Sequence, residues 1–415
     1  IAQDNDLNPF AALLATSRGL LTDDDISSYF GNTPMELCNP FELPDMDKAV
    51  KRLETAIDKG ESILIFGDYD ADGVTATALL YSYLETRGAN VQYYIPDRLT
   101  EGYGISEEAV GIIKDRNAKL IVTVDNGISA IQEAKLIAEL GMELIVTDHH
   151  KPKDILPQAI AIVDPHRTDC HCEYKDFAGV GVAFKLVCAL DGGDPGDLLD
   201  EYGDLLAIGT IGDIVPLTGE NRSSVKAGIS AINAYPSIGI SALLKVAGAD
   251  KKKTNSSVVA FALAPRINAA GRMGSAGRAL DLLLTDDEKT AEDLAVEINN
   301  ENVLRRITEE EIIQKIDIIL GKYPLLKYDR VIVIDGENWH NGVIGIVASR
   351  IAERFGRPTI IISKDGLFAR GSGRSVEGFS LYAALDAVSD HLTHFGGHTL
   401  AAGFGILSEK IDDFR

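Results

Sequence analysis

The stretch Gly67-Asp68-Tyr69-Asp70-Ala71-Asp72-Gly73 sets three carboxylates within seven residues. It follows directly on residues 62–66, a short apolar run that reads as a buried strand. Carboxylates this close repel one another unless water or a cation neutralises them. A solvated acidic turn is one reading. A calcium loop of EF-hand type is another, because Asp68, Asp70, Asp72 and Gly73 fit its first half. That loop needs a bidentate Glu at its twelfth position, which here is Leu79, and it needs helices on both sides. A strand precedes this stretch, so the calcium loop is excluded.

Outward from this stretch, strand and helix patterns alternate. Residues 74–87 predict a helix ending at Gly88, 91–95 a strand, 106–116 a helix and 120–124 a strand. Residues 129–140 then predict a helix, and 143–146 and 159–163 two further strands. A helix is predicted at 47–59, closed by Gly60. Such alternation implies a parallel sheet with helices on both faces. Ligands of these sheets bind beyond the carboxyl ends of the strands. Four strands end in acids or acid–histidine clusters: Gly67–Gly73 itself, then Asp125-Asn126-Gly127, Asp148-His149-His150 and Asp164-Pro165-His166. In a parallel sheet those ends share one edge, so the clusters should converge into a metal site. Many oxygens, a few imidazoles and no thiolate suit Mn²⁺ or Mg²⁺ better than Zn²⁺ or copper. The number of acids suggests two ions sharing a bridging carboxylate, the arrangement that hydrolyses phosphoesters. Asp213, in an apolar neighbourhood, is either a further ligand or a helix N-cap.

Residues 175–285 read as mostly helical, and 288–320 as one or two long connecting helices. Beyond them, strands at 330–334, 358–363 and 367–372 with helices at 344–355 and 381–391 make a smaller α/β domain. Residues 1–45 form an N-terminal arm. The domains are expected at 46–285, 286–328 for the connecting helices, and 329–415.

The 415 residues carry 40 basic and 63 acidic side chains, a formal charge of −23. Residues 331–415 account for only −2 of it, so the acidity belongs to the front of the chain. A nucleic-acid partner usually leaves a basic footprint, so this balance argues against one. An apolar share of 45% and a charged share of 25% fit a folded globular chain, and no apolar run is long enough to span a bilayer. Four cysteines are too few for a disulfide framework, and a reducing cytoplasm is expected. Cys170 and Cys172, near His166 and His171, form a C-x-C without the second ligand pair of a structural zinc site. No G-x-x-x-x-G-K-[ST] and no G-x-S-x-G occurs, and Gly179-Val180-Gly181 lacks the third glycine of a dinucleotide fingerprint, Phe184 standing there.

With these motifs assembled, the segments Gly67–Gly73, Val124-Asp125-Asn126-Gly127, Thr147-Asp148-His149-His150 and Gly212-Asp213 resemble the DHH phosphoesterase superfamily. The tail Phe395-Gly396-Gly397-His398-Thr399-Leu400-Ala401-Ala402-Gly403-Phe404 is similar to the glycine-rich motif of the DHH-associated domain. The segments at 178–184, 265–272, 339–350 and 371–375 are similar to the bacterial exonucleases of that superfamily that degrade single-stranded DNA from its 5′ end. The resemblance covers nearly the whole chain. It implies an α/β fold: a DHH-type parallel sheet with flanking helices, a long connecting helix and a smaller DHH-associated C-terminal domain, with an oligonucleotide-binding domain beyond it.

As catalytic residues it implies Asp70, Asp72, Asp125, His149, His150 and Asp213. Asp70, Asp72, Asp125, His149 and Asp213 would ligate two Mn²⁺ or Mg²⁺ ions, with Asp125 bridging. Asp68 is counted with the metal-site acids, Asp148 supports it, and His150 would face the scissile phosphate. Arg98, Arg272, Ser372, Arg374 and His398 would bind substrate. Arg374 follows Gly371-Ser372-Gly373, read as a flexible turn whose N–H groups approach a phosphate. Trp339 reads as a core aromatic. The implied activity is 5′→3′ hydrolysis of single-stranded DNA to mononucleotides in repair and recombination. The alternative is a phosphodiesterase for short oligonucleotides or cyclic dinucleotides. Expected partners are single-stranded DNA with a 5′ end, a single-stranded-DNA-binding protein and a helicase. A monomer away from membranes is expected.

Overall fold

The structure is a computed structural model that describes residues 2, 7–30 and 37–415. Parts of the expected N-terminal arm therefore lie outside the described residues. Within the arm, Pro9–Ser17 and Asp23–Phe30 are short helices. The chain divides into two compact units, residues 1–271 with 275–299, and residues 272–274 with 300–415.

The first unit holds β1 (Ile63–Phe66), β2 (Val91–Tyr94), β3 (Leu120–Val124), β4 (Glu143–Thr147) and β5 (Ala161–Val163). They form one parallel sheet in the order β2-β1-β3-β4-β5. Successive side chains of a strand point to opposite faces. Ile63, Ile65, Val122 and Ile145 accordingly enter one core, and Leu64, Phe66, Ile121 and Leu144 enter another. Near-continuous apolar strands are what a sheet covered on both faces requires. The chain leaves β1 towards β2 on one side and returns to β3 on the other. The ends of β1 and β3 therefore flank a switch point, where α/β sheets bind ligands.

The predicted helix at 74–87 begins earlier, at Ala71, and runs to Thr86. Asp70 is its N-cap, accepting from Asp72 N at 3.0 Å and Gly73 N at 3.1 Å. The acidic stretch is therefore half loop and half first turn of a helix. The region expected to be helical holds Gly179–Asp191, Pro195–Gly212 and several further helices, down to Gly277–Leu284. The connector is one helix, Glu288–Lys322, whose 35 residues run from the first unit into the second. No single helix among the described residues is long and apolar enough to cross a membrane.

The second unit holds β6 (Ile332–Glu337), β7 (Thr359–Asp365), β8 (Phe368–Arg374), β9 (Leu392–Gly397) and β10 (Ala401–Leu407). Their order is β6-β7-β8-β10-β9, with only the β6–β7 pair parallel. Trp339 is buried with Ile332, Ile334 and helix Asn341–Phe355 on one face. Ile360, Ile362 and Phe404 fill the other.

Two expectations are corrected here. Gly371-Ser372-Gly373 is no flexible turn: it lies inside β8, paired on both sides, Ser372 opposite Ile361 and Gly403. A Cβ on Gly371 would stand 2.1 Å from the Phe404 ring, and one on Gly373 2.4 Å from Leu381. These glycines make room for packing and present no loop amides. The helix expected at 381–391 stops at Asp386, followed by a 3₁₀ turn at Ser389–His391. Val388, Ser389 and Asp390 are poor helix formers.

Candidate metal centre

Each strand end of the first sheet delivers one part of the site. After β1, Asp68 is buried at 3% exposure, and Gly73 is packed so tightly that a Cβ would meet Asp68 at 2.6 Å. After β3, Asp125 adopts φ 63°, a left-handed backbone that Asp tolerates better than most residues. After β4 come Asp148, His149 and His150. Asp213 arrives from elsewhere, as the C-cap of helix Pro195–Gly212. That overturns its N-cap reading. A carboxylate at the negative end of a helix is unfavourable by itself, which strengthens the need for a cation.

These side chains converge in overlapping groups whose ligand atoms lie within 4.8 Å of one another: Asp72, His149 and Asp213; Asp68, Asp70 and Asp125; and Asp125, His149 and His150. Asp125 and His149 are the shared members. His149 Nε2 lies 3.0 Å from Asp125 Oδ1, 3.7 Å from Asp213 Oδ2 and 3.9 Å from Asp72 Oδ2. Yet Asp68 Oδ1, Asp125 Oδ1 and His149 Nε2 are buried without a hydrogen-bond partner. A buried orphan of this kind costs about 1–3 kcal/mol, more when charged. Three in one cluster of acids and imidazole form the donor set of a hard divalent cation. The residues thus fit the metal that the sequence implied, in two lobes joined at Asp125.

The electrostatics agree. Burial, then the Asp213 charge, pushes the Asp72 carboxyl up to about 7. Burial and Asp72 push Asp125 well above the carboxylate range, and burial and Asp70 do the same to Asp68. Burial also raises Asp213. For His149, burial pulls down but Asp72 and Asp213 outweigh it, so its pKa is raised. Burial and mutual repulsion thus disfavour the ionised carboxylates unless a cation offsets them.

Neighbours fix the ligands. Asp72 accepts from Gly179 N at 2.5 Å and Val180 N at 2.8 Å, the first amides of helix Gly179–Asp191. Gly179 is required there, because a Cβ would stand 2.5 Å from Asp125. Asn268 accepts from Ala71 N at 2.9 Å. Asp148 is not placed as a ligand but as an organiser: it accepts from His149 N (2.8 Å), His150 N (3.1 Å) and Ile128 N (2.9 Å). It also pairs with His150 Nδ1 at 2.7 Å. Burial raises the Asp148 carboxyl, but the His150 contact more than offsets it and the net shift is downward. The same contact overcomes burial at His150 and lifts it to about 9. Asp164, fully buried after β5, is pushed up to about 7 by burial.

Arg98 lies over the Tyr69 ring at 4.6 Å, beside the acidic stretch. The other expected substrate residues fall in the second unit. Arg272 Nη1 donates to Gly342 O at 3.3 Å. Arg374 Nη1 donates to Gly373 O at 2.8 Å and to Ser372 Oγ at 3.4 Å. A Cβ on Gly345 would stand 3.0 Å from Ser372 Oγ and 3.2 Å from Arg374 Nη2, so that helix is glycine-faced against them. His398 is in the β9–β10 turn, its N–H donating to Ala401 O at 2.8 Å.

Sequence reasoning missed Tyr103, whose hydroxyl donates to Asp125 O at 3.2 Å and lies 3.2 Å from His150 Nδ1. The only sequence signal is its flanking pair, Gly102 and Gly104, both at positive φ.

Comparison with known proteins agrees with this geometry. Residues 62–210 match the DHH family N-terminal domain, and residues 328–415 match the DHHA1 domain. The single-stranded-DNA-specific exonuclease RecJ of Bacillus subtilis is 41% identical over 411 residues, covering 99% of this chain and 52% of that protein. The Escherichia coli protein of the same name is 39% identical, covering 99% of this chain and 74% of its own. The chain thus spans about half of the first and about three-quarters of the second. The structure of RecJ from Thermus thermophilus in complex with Mn²⁺ superposes with a TM-score of 0.85 at 36% identity, covering all of this chain and 59% of that one. Two domain matches, near-complete coverage and the converged acid–histidine groups lead to one assignment: the chain belongs to the RecJ family of DHH proteins.

Proposed function

We propose that this chain is the catalytic core of a metal-dependent exonuclease that degrades single-stranded DNA from its 5′ end to mononucleotides, in DNA repair and recombination. The observation that carries it is the pair of ligand groups, Asp72–His149–Asp213 and Asp68–Asp70–Asp125, with three orphaned buried atoms at their join. Two Mn²⁺ or Mg²⁺ ions, when bound, supply the Lewis acidity that activates water and offsets charge on the phosphodiester.

The chain's own residues do the rest. Asp125 and His149 belong to two groups each, so they set the spacing of the lobes. The amides of Gly179 and Val180 hold both oxygens of Asp72 and orient it. The Asp148 contact favours the protonated form of His150, whose side chain is 46% exposed and would donate to a phosphate oxygen. In the second unit, Arg374 and Ser372 converge beside Gly345 and would receive the terminal 5′ phosphate as a charge-assisted, forked contact. A receptor for that phosphate sets polarity. Arg98 in the first unit, and Arg272 and His398 in the second, would each bind substrate. A monomer in the cytoplasm, served by a single-stranded-DNA-binding protein and a helicase, completes the reading.

The test uses Mn²⁺ and end-labelled single-stranded DNA. A 5′ label should leave at once as a mononucleotide, while a 3′ label stays on the shortening strand until last. Early release of the 3′ label, or internal cuts, would overturn the reading.

A further inference from the structure

Cys38 and Cys172 are 134 positions apart, yet their sulfurs lie 3.2 Å from each other. That is closer than two sulfur atoms in ordinary van der Waals contact. The contact is built, because both residues are held by their surroundings. Cys38 N donates to Glu220 Oε1 at 2.7 Å, and Lys185 Nζ donates to Cys38 O at 2.8 Å. Lys185 and Glu220 are themselves a buried ion pair at 2.6 Å, with side chains 2% and 3% exposed. Truncating one partner of such a pair is strongly destabilising, so this clamp on the Cys38 backbone is stiff. Cys172 is buried at 1% exposure, its Sγ directed at Tyr174 O at 3.1 Å. Cys38 is partly exposed. The metal centre does not use any of these groups.

We propose that Cys38 and Cys172 are a reversible disulfide site, closed by a low-molecular-weight disulfide and opened by a thiol. Cys38, the reachable sulfur, attacks one sulfur of the small disulfide. A mixed disulfide forms and one small thiolate leaves. Cys172 then attacks Cys38 Sγ, the intramolecular bond forms, and the second small thiolate leaves. The two protein thiols are oxidised by two electrons, the small disulfide is reduced to two thiols, and the two protons pass to the leaving thiolates. The hydrogen bond between the sulfurs, with burial, raises the Cys38 thiol, while the same bond lowers the Cys172 thiol, so the first attack by Cys38 is the slow step and the resolving attack by Cys172 the fast one. The bond would tie the segment before helix Met46–Asp58 to the connector that leads into Gly179, whose amide holds Asp72. Glu42 offers an oxygen within 4.8 Å of the two sulfurs, a three-ligand group by distance. The closeness of the sulfurs and the single exposed oxygen donor favour the disulfide.

Treating the full chain with oxidised glutathione should lower the thiol count, titrated after denaturation, from four to two. Peptide mapping should find Cys38 joined to Cys172. Closing so long a loop should raise Tm by roughly 4–8 °C, reversed by dithiothreitol. Cys38→Ser should lose the Tm rise and the link, and Cys170→Ser should keep both. Should Cys38→Ser fold poorly, Cys172→Ala supplies the same control. Four titratable thiols after oxidation, glutathione resting on Cys38 without resolution, or a link through Cys170 would overturn the proposal. So would one tightly bound zinc per chain that Cys38→Ser releases.

Discussion

The two five-stranded sheets place their chemistry in opposite ways. In the first, every strand is parallel, and the acids and histidines lie just past the strand ends, where one edge gathers them. In the second, all but one pairing is antiparallel, and Ser372 and Arg374 lie within β8 itself, in register with β7 and β10. A parallel edge collects residues that are far apart in sequence, so each needs only to follow a strand. An antiparallel ladder presents alternate residues on one face, so its functional groups need small neighbours. Gly345 provides that room, while Gly371 and Gly373 face the other side of β8, where Phe404 and Leu381 pack.

The largest expected effect tests the first sheet. Asp125→Asn, which keeps the left-handed backbone and removes the charge, should bring hydrolysis to background with Mn²⁺ in excess. The metal-free fold should survive, since the change removes a buried, repelled carboxylate. Turnover retained in that variant would sink the shared-ligand role. Next comes the second sheet. Arg374→Ala should cut the preference for a 5′-phosphorylated over a 5′-hydroxyl end by roughly tenfold, the worth of one charge-assisted contact. If wild type degrades both ends equally, the role has no basis.

Gly371→Ala separates packing from chemistry. The added methyl meets Phe404, and overpacking of this kind costs about 1–3 kcal/mol, read as a lower denaturation midpoint. An unchanged midpoint would show that β8 yields where the structure makes it tight.

The smallest effect is one of pH. In the metal-free protein the Asp72 pKa rises from 3.8 to about 7. A raised carboxyl stabilises the fold fully below about 4, and that contribution is lost as pH climbs through about 7. Cations need the ionised form, and His149, also raised, must lose its proton to ligate. The Tm increase on adding Mn²⁺ should therefore be larger at pH 8 than at pH 6. An equal or smaller increase at pH 8 would contradict it.

Much of the first sheet was legible because its signal is local: an apolar run, then an acid. Asp68, Asp70, Asp72, Asp125, His149 and His150 could be gathered from that pattern alone. Asp213 could not, because it ends a helix, and its sequence neighbourhood also fits a cap. Tyr103, Asn268 and the amides of Gly179 and Val180 act through tertiary approach, which no spacing encodes. In the second sheet, glycine in β8 imitates a turn, since its packing role depends on Phe404, more than thirty positions away. Cys38 and Cys172 were invisible for the same reason. The objection from net charge also weakens. Much of the site's share of the −23 is carried by buried carboxylates that a bound cation would offset, and the arginines offered to DNA are few and local.

The left-handed backbone at Asp125 has a consequence for drift over generations. Only glycine, asparagine and aspartate occupy that conformation cheaply. A lineage released from selection for hydrolysis would not wander freely at this position. It should settle on Asn or Gly, which keep the bend between β3 and the following glycine and discard the charge. Asn or Gly at position 125 is therefore the expected mark of relatives that have kept the fold and retired the chemistry.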